Sequence, residues 1–322
     1  MGKRLIGVLF FFLILGGCIH VDLFSGGERA LQETTISGEG SEKILLIDIS
    51  GTLTTSKDDG IFSEPSLPAR LKEELTKAEK DDHIKAIILR INTPGGTVTS
   101  SDILYHELQT FKEKRNVPII SSIMDMGTSG GYYVAMASDY ILAHPSTITG
   151  SIGVIMLTLN GQGLLEKIGI QPTAIVSGPK KAMGSPFRAM NDEERAIFQD
   201  VIDRLYARFL TVVEQGRPNL TPARIRQLAD GRIYTADVAK SEGLIDAIGY
   251  LDDAVEQAKK RAKLGDAQVV TYTRNSRETH QNVYSHFDPP TVGPIGFPQI
   301  NTNSMLGVLQ GGTPHMMYMW IP

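Results

Sequence analysis

One cysteine, Cys18, is all the thiol chemistry available to this chain of 322 residues. No internal disulfide can form, so the fold stands on its core rather than on cross-links. A basic excess is lacking too. The 32 Lys and Arg stand against 36 Asp and Glu, a net charge of −4, which removes the electrostatic footprint of a nucleic-acid binder. Apart from His144, which is weighed below, the histidines (His20, His83, His106, His280, His286 and His315) lack the spacing of metal ligands, and no cofactor is expected. The apolar run 5–15 is shorter than the roughly 20 residues that span a bilayer. No internal repeat is present. What remains is an ordinary globular composition, 41% hydrophobic and 21% charged, with length enough for one large domain or two small ones.

The first residues do not read as part of that fold. Lys3 and Arg4 precede the apolar run, and Leu15-Gly16-Gly17-Cys18 follows it. This is the layout of a secretory signal peptide, and its ending resembles the bacterial lipoprotein box, in which the cysteine is acylated and becomes the new N-terminus. On that reading residues 1–17 are removed and Cys18 carries the lipid. The mature chain then holds 30 basic against 36 acidic residues, about −6. The alternative is an uncleaved anchor with an incidental cysteine. Residues 18–41 are polar, glycine-rich and aperiodic, and are expected to form a flexible tether. The folded domain is expected over 42–270. Residues 271–322 are expected to be a Pro/Gly-rich, partly disordered tail with an apolar end, Met316-Met317-Tyr318-Met319-Trp320-Ile321-Pro322.

Within the domain, strands and helices alternate. Strands are predicted over 43–53, 84–91 and 118–126, with helices over 66–80 and about 100–114 between them. The pattern implies βαβ units: an α/β fold with a largely parallel sheet flanked by helices. Further on, a helix is predicted over 163–168, a short strand over 172–177, and a long helix from Asn191, whose Asn191-x-x-Glu194 start is a capping box, to about Gln215. Its apolar face is broad enough either to wedge between layers or to meet another subunit. A helix from Thr221, a turn and short strand over 231–235, and helices over 236–241 and 251–262 follow.

Two glycine turns stand at strand ends. The first is Asn92-Thr93-Pro94-Gly95-Gly96. The second is Gly127-Thr128-Ser129-Gly130-Gly131, followed by a helical run over 132–138. Strand, sharp turn, serine and helix start together lift a hydroxyl clear of the backbone and leave free N–H groups beside it. Such N–H groups can hold an oxyanion, and Gly95 and Gly96 admit close backbone approach because no Cβ intrudes. Each turn taken alone is more often tight packing with no ligand.

Several motifs in one order resemble a known family. They are AIILRINTPGG with SDIL, DMGTSGGYYVAMASDYILAHPSTITGSIGV, SGPKKAMGSPFRAMNDEER and DGRIYTADVAKSEGLIDAIG. Together they resemble the bacterial signal peptide peptidases of the SppA type, serine peptidases with the Clp protease–crotonase fold, over about residues 43–265. The short form with one catalytic domain is implied. The resemblance assigns Ser129 as nucleophile, Lys181 as general base, Ser151 as a hydrogen-bond partner of that lysine, and Gly130 with Gly95 and Gly96 as oxyanion donors. Lys180 is the ambiguous neighbour of Lys181. Chemistry supports the assignment. A lysine with its usual pKa of about 10.4 is charged at pH 7, and burial can lower that value by about 3–5 units, enough to free a base. The resemblance further implies a homo-oligomer with sites at subunit contacts, and signal peptides and other apolar segments as substrates; the lipoprotein ending places the chain outside the cytoplasm at a membrane.

Other readings stay open. A Ser-His-Asp arrangement of Ser129 with His144 and Asp139 would match the related Clp peptidases. The crotonase relatives use the same oxyanion hole on acyl-CoA, and a non-catalytic lipoprotein scaffold would fit the apolar tail. The tail itself is a candidate occupant of the substrate groove.

Overall fold

A computed structural model describes residues 30–56, 65–274 and 316–320. Three near-continuous apolar runs become the central strands β2 (Lys43–Ser50), β3 (Ile84–Thr93) and β5 (Ile119–Thr128), which pair in parallel in the order β2-β3-β5. Both faces of such strands are covered, which is why they read as runs rather than alternations. Successive side chains divide between two cores. Leu45, Ile47 and Ile49 join Leu71, Leu104, Tyr133 and Phe209 on one face. Ile44 and Leu46 join Leu251, Ala254 and Ala258 on the other. The helices Leu67–Ala78, Val98–Arg115, Gly130–Ala135 and Asp192–Gly216 supply the first face, and Leu251–Ala262 the second. The expected α/β architecture is therefore present.

The sheet is wider than expected. Strand β1 (Gln32–Ser37) pairs antiparallel with β11 (Gln268–Thr273), which pairs in parallel with β2. The predicted tether over 18–41 thus contains an edge strand, and the domain reaches past residue 270. Polar residues on the outer face of an edge strand mask its periodicity. On the other side, β6 (Tyr140–Ala143) and β10 (Ala247–Ile248) extend the sheet, while β7 (Ile148–Gly150) pairs with the end of β5 and with β9 (Ile233–Thr235).

A second, three-stranded sheet covers the carboxyl ends of the central strands: β4 (Gly95–Thr97), β12 (Met316–Met319) and β8 (Ile155–Met156), with β12 in the middle and antiparallel to both neighbours. Part of the predicted tail, Met316–Met319, is thus a strand. Residues 172–177 form no strand, because their apolar side chains have no neighbour in the chain to pair with; Ile175 is 98% exposed. The helix Gln162–Lys167 buries nothing, and from 153 to 193 no residue is buried. The helix Asp192–Gly216 carries its predicted capping box. It buries Phe209, Leu210, Val212 and Val213 in its second half, while Ile197 and Val201 stay exposed in its first.

Candidate active site

β5 ends at Thr128, and Ser129 turns the chain into the helix Gly130–Ala135 with φ 53° and ψ −113°. A positive φ at a residue with a side chain costs about 1–3 kcal/mol and persists only where the surroundings hold it. Here the Ser129 N–H donates to the Gly150 carbonyl (2.7 Å), and the Tyr133 N–H donates to the Ser129 carbonyl (2.9 Å). Thr128 stands opposite Gly150 at the end of β7. The next residue, Ser151, also has a positive φ (51°), and its N–H donates to the Arg232 carbonyl (2.7 Å). Two serines are therefore held in left-handed backbone on adjacent strand ends. Ser129 is buried, and its hydroxyl has no hydrogen-bond partner among the described residues.

The glycine turn after β3 lies beside them. The Gly95 N–H is taken by the Thr93 hydroxyl (3.0 Å). The Gly95 carbonyl accepts from the Leu53 N–H (2.9 Å), and the Thr97 N–H donates to the Leu53 carbonyl (2.8 Å). The polar backbone groups of Gly96 must then point the other way, toward Tyr318, which stands opposite it in β12. The Trp320 N–H donating to Pro94 (3.0 Å) fixes the same alternation. A side chain on Gly95 (φ 100°) would begin 2.0 Å from the Tyr318 carbonyl oxygen and 2.7 Å from the Gly130 nitrogen. The Gly130 N–H is the first of its helix and has no partner within it. The Tyr318 carbonyl oxygen thus faces Gly96 of the first turn and lies near the Gly130 nitrogen of the second. Of the two glycines in the first turn, Gly96 presents the N–H and Gly95 presents the space.

The side chain of Tyr318 enters a closed aromatic pocket. Its ring stacks on Tyr133 (5.2 Å, 24°) and meets Phe209 (4.7 Å), and its hydroxyl donates to the Leu205 carbonyl (2.8 Å). Tyr133 is anchored in turn by donating to Asp102 (2.7 Å), which also accepts from Arg208. Burial first, and the Asp102 carboxylate second, push the Tyr133 phenol far above its ordinary range, so it stays a neutral donor. Sequence reasoning missed Tyr133, Leu205 and Phe209 as pocket residues, because their apolar spacing is indistinguishable from core packing.

The lysine pair lies apart from Ser129's hydrogen bonds. Lys181 is exposed, in a turn closed by its N–H to the Gly178 carbonyl (3.1 Å), and no hydrogen bond joins it to Ser129 or Ser151 within one chain. Lys180 pairs with Glu193. His144 does not reach Ser129 either. Its N–H donates to Ile123 (2.9 Å), six positions back along β5, or about 20 Å at roughly 3.3 Å per residue. Its ring bonds Ser146 and meets Tyr250 edge-on. Asp139 sits at the opposite end of β5, accepting from the Ile119 N–H (2.9 Å) and paired with Lys112 (2.7 Å). The histidine arrangement is therefore not assembled. Cys18 and residues 1–17 lie outside the described residues, and among the described residues no helix is long and apolar enough to cross a membrane.

A strained serine on a strand–helix turn, facing amides that gather around a peptide carbonyl at the carboxyl ends of a parallel sheet, defines a serine peptidase on a Clp-like fold. Comparison with known proteins narrows the class. Residues 111–265 match the model of peptidase family S49, and residues 64–147 match that of Clp protease. A protein of Enterococcus faecium provisionally named signal peptide peptidase SppA is 36% identical over 79% of this chain and 74% of its own length. A provisionally named protease of Methanocaldococcus jannaschii is 34% identical over 84% and 87%. Protease 4 of Salmonella typhi is 34% identical over 68% of this chain but only 33% of its own length. The chain belongs to peptidase family S49, the family of SppA and protease 4.

Proposed function

We propose that this serine peptidase is a membrane-anchored endopeptidase in which Ser129 is the nucleophile and Lys181 the general base, and that it degrades cleaved signal peptides and other apolar, unfolded segments. The observation that carries the reading is the extended strand β12 between β4 and β8, with a backbone carbonyl at the Gly96 and Gly130 amides. An unfolded peptide adding as a strand there presents one carbonyl to Ser129. Neutral Lys181 takes the Ser129 hydroxyl proton as the oxygen attacks, and returns it to the leaving amine; Ser151 orients the ammonium. Water then hydrolyses the acyl-enzyme.

An exposed lysine cannot act as a base at neutral pH, because solvent keeps it charged. Lys181 rides on an arm that also exposes Leu159, Leu164, Ile168, Ile175 and Phe187. So much uncovered apolar surface calls for a partner, and the proposed occupant is a second copy of the chain. Packing of the arm against a neighbour desolvates Lys181 and delivers it to the neighbour's Ser129. The lipid on Cys18 holds the assembly at the outer side of the membrane.

The test is peptidase activity on a fluorogenic apolar peptide. Ser129→Ala and Lys181→Ala are expected to be inactive, with Lys180→Ala and His144→Ala active. An active Lys181→Ala removes the dyad. Retention of Cys18→Ser in the membrane fraction removes the lipid anchor.

A further inference from the structure

The peptidase reading leaves open what holds the base in place. Of residues 153–208 only one is buried, and it is a carboxylate: Glu194, 1% exposed, in the first turn of the helix Asp192–Gly216. A buried carboxylate persists where charge and hydrogen bonds replace its water. Arg188 supplies both. Its two terminal nitrogens donate to the two carboxylate oxygens, Nη1 to Oε2 at 2.9 Å. The capping box adds the Asn191 N–H to Oε2 (3.4 Å). The same guanidinium reaches the turn of the base. Arg188 Nη2 also donates to the carbonyl of Ala182 (2.8 Å), the residue after Lys181. We propose that Arg188 is a positioning residue for the general base: it bridges the Ala182 carbonyl to the Glu194 carboxylate and so fixes where Lys181 is presented. The inference rests on the reading of Lys181 as the base.

Three features set this bridge apart from an ordinary surface ion pair. The first is that no apolar contact anchors the turn. No residue from 178 to 187 is buried. The turn closes on itself, through the Lys181 N–H to the Gly178 carbonyl (3.1 Å) and the Met183 N–H to the Lys180 carbonyl (3.1 Å). The Gly161 N–H to Pro186 (2.7 Å) and the Ala189 N–H to Gln162 Oε1 (2.7 Å) join it only to the rest of the arm. Among the described residues two side-chain links reach the helix Asp192–Gly216, Lys180 to Glu193 and Arg188 to Glu194. Glu193 is largely exposed, and water screens such a pair until it contributes little. Arg188 therefore carries the anchoring.

The second feature is the fork. A planar guanidinium holds a carboxylate through two nitrogens and still donates to a carbonyl. A lysine at 188 keeps the charge and loses the bridge. The third is what lies behind the carboxylate. The far half of the helix is locked into the core by Phe209, Leu210, Val212 and Val213. From Glu194 to Phe209 the helix runs about 22 Å at 1.5 Å per residue. It carries the frame of the core out to a turn that has no core of its own, and Arg188 makes the last connection.

The test is steady-state hydrolysis of the fluorogenic apolar peptide by the full chain, with particle mass from light scattering, for wild type, Arg188→Ala, Arg188→Lys, Lys180→Ala and Lys181→Ala. Arg188→Ala is expected to lower kcat about 100-fold, the scale of an ångström-level misplacement, with KM within about twofold and particle mass unchanged. Arg188→Lys is expected to fall about as far, and Lys180→Ala to stay within about twofold of wild type. Added guanidinium ion is expected to return part of the lost kcat to Arg188→Ala and none to Lys181→Ala. An Arg188→Ala kcat within about twofold of wild type overturns the inference. Full activity in Arg188→Lys assigns the effect to charge alone and also overturns it. So does a loss of rate that comes through a raised KM or a broken assembly, which makes Arg188 structural. Each of these leaves the peptidase standing while Lys181→Ala is inactive. An active Lys181→Ala or an inactive wild type removes the inference together with the reading beneath it.

Discussion

Gly95 and Gly96 are neighbours of the same type with different tasks. At Gly96 the backbone N–H faces the bound strand, while a Cβ would point the other way and meet the Leu53 carbonyl oxygen at 2.0 Å. At Gly95 the requirement is empty space, since a Cβ would meet the Tyr318 carbonyl oxygen at 2.0 Å. Gly95→Ala is expected to lower kcat/KM about 100-fold, the scale of an ångström-level misplacement, and a rate within twofold of wild type would refute the assignment. Ser129→Ala is expected to cost about 10^4-fold or more, as removal of a nucleophile does. His144→Ala, outside the site, is expected to stay within about twofold, the scale of a surface substitution. Peptide hydrolysis at saturating and limiting substrate separates these cases. Ser129 and the two glycine turns were legible in the sequence, because strand–glycine–helix junctions leave a local signature. The division of labour between Gly95 and Gly96 was not. It depends on Thr93 and Leu53 occupying the other backbone groups.

Among the elements, the helix Leu67–Ala78 buries a carboxylic acid against β2. Glu74 is almost wholly removed from solvent, and burial pushes its pKa up to about 8, with Arg70 opposing and Asp48 adding to the rise. The sign follows from linkage. The folded state keeps the proton between pH 4.5 and about 8 while the unfolded chain loses it. Stability therefore falls as pH rises through that window and levels off above it. Glu74→Gln, which cannot ionise, is expected to melt above wild type at pH 8–9, with the gap closing toward pH 4.5. Thermal melts at both ends check this, and a gap independent of pH would exclude the Glu74 proton as its source. At the same scale, β12 fills the gap between β4 and β8. Tyr318→Ala is expected to raise the rate of fluorophosphonate labelling at Ser129 about tenfold by freeing the groove. Unchanged labelling would mean that the strand does not limit access.

The whole molecule presents a buried serine and an exposed lysine that share no hydrogen bond in one chain. If neighbouring copies exchange these groups, two inactive variants should complement. Coexpressed Ser129→Ala and Lys181→Ala chains are expected to recover about a quarter of wild-type activity, because random mixing pairs an intact serine with an intact neighbouring lysine at one site in four. No recovery, with mixed oligomers confirmed by tag pull-down, would place both groups of the dyad in the same chain.

By itself the sequence determined the parallel α/β core, the turn that carries Ser129, the Asn191 capping box and the membership of a peptidase family. The first three follow from hydrophobic period, glycine placement and cap chemistry, all of which act over a few neighbouring residues; the membership rests on the resemblance of several motifs in one order. Tertiary structure alone decided that Gln32–Ser37 joins the sheet edge, that His144 and Asp139 stand away from Ser129, and that Tyr318 enters the pocket of Tyr133 and Phe209. Each of these joins segments far apart in the chain. Such pairings are set by which strand edge and which cavity remain open once the core has packed, and no local pattern records that.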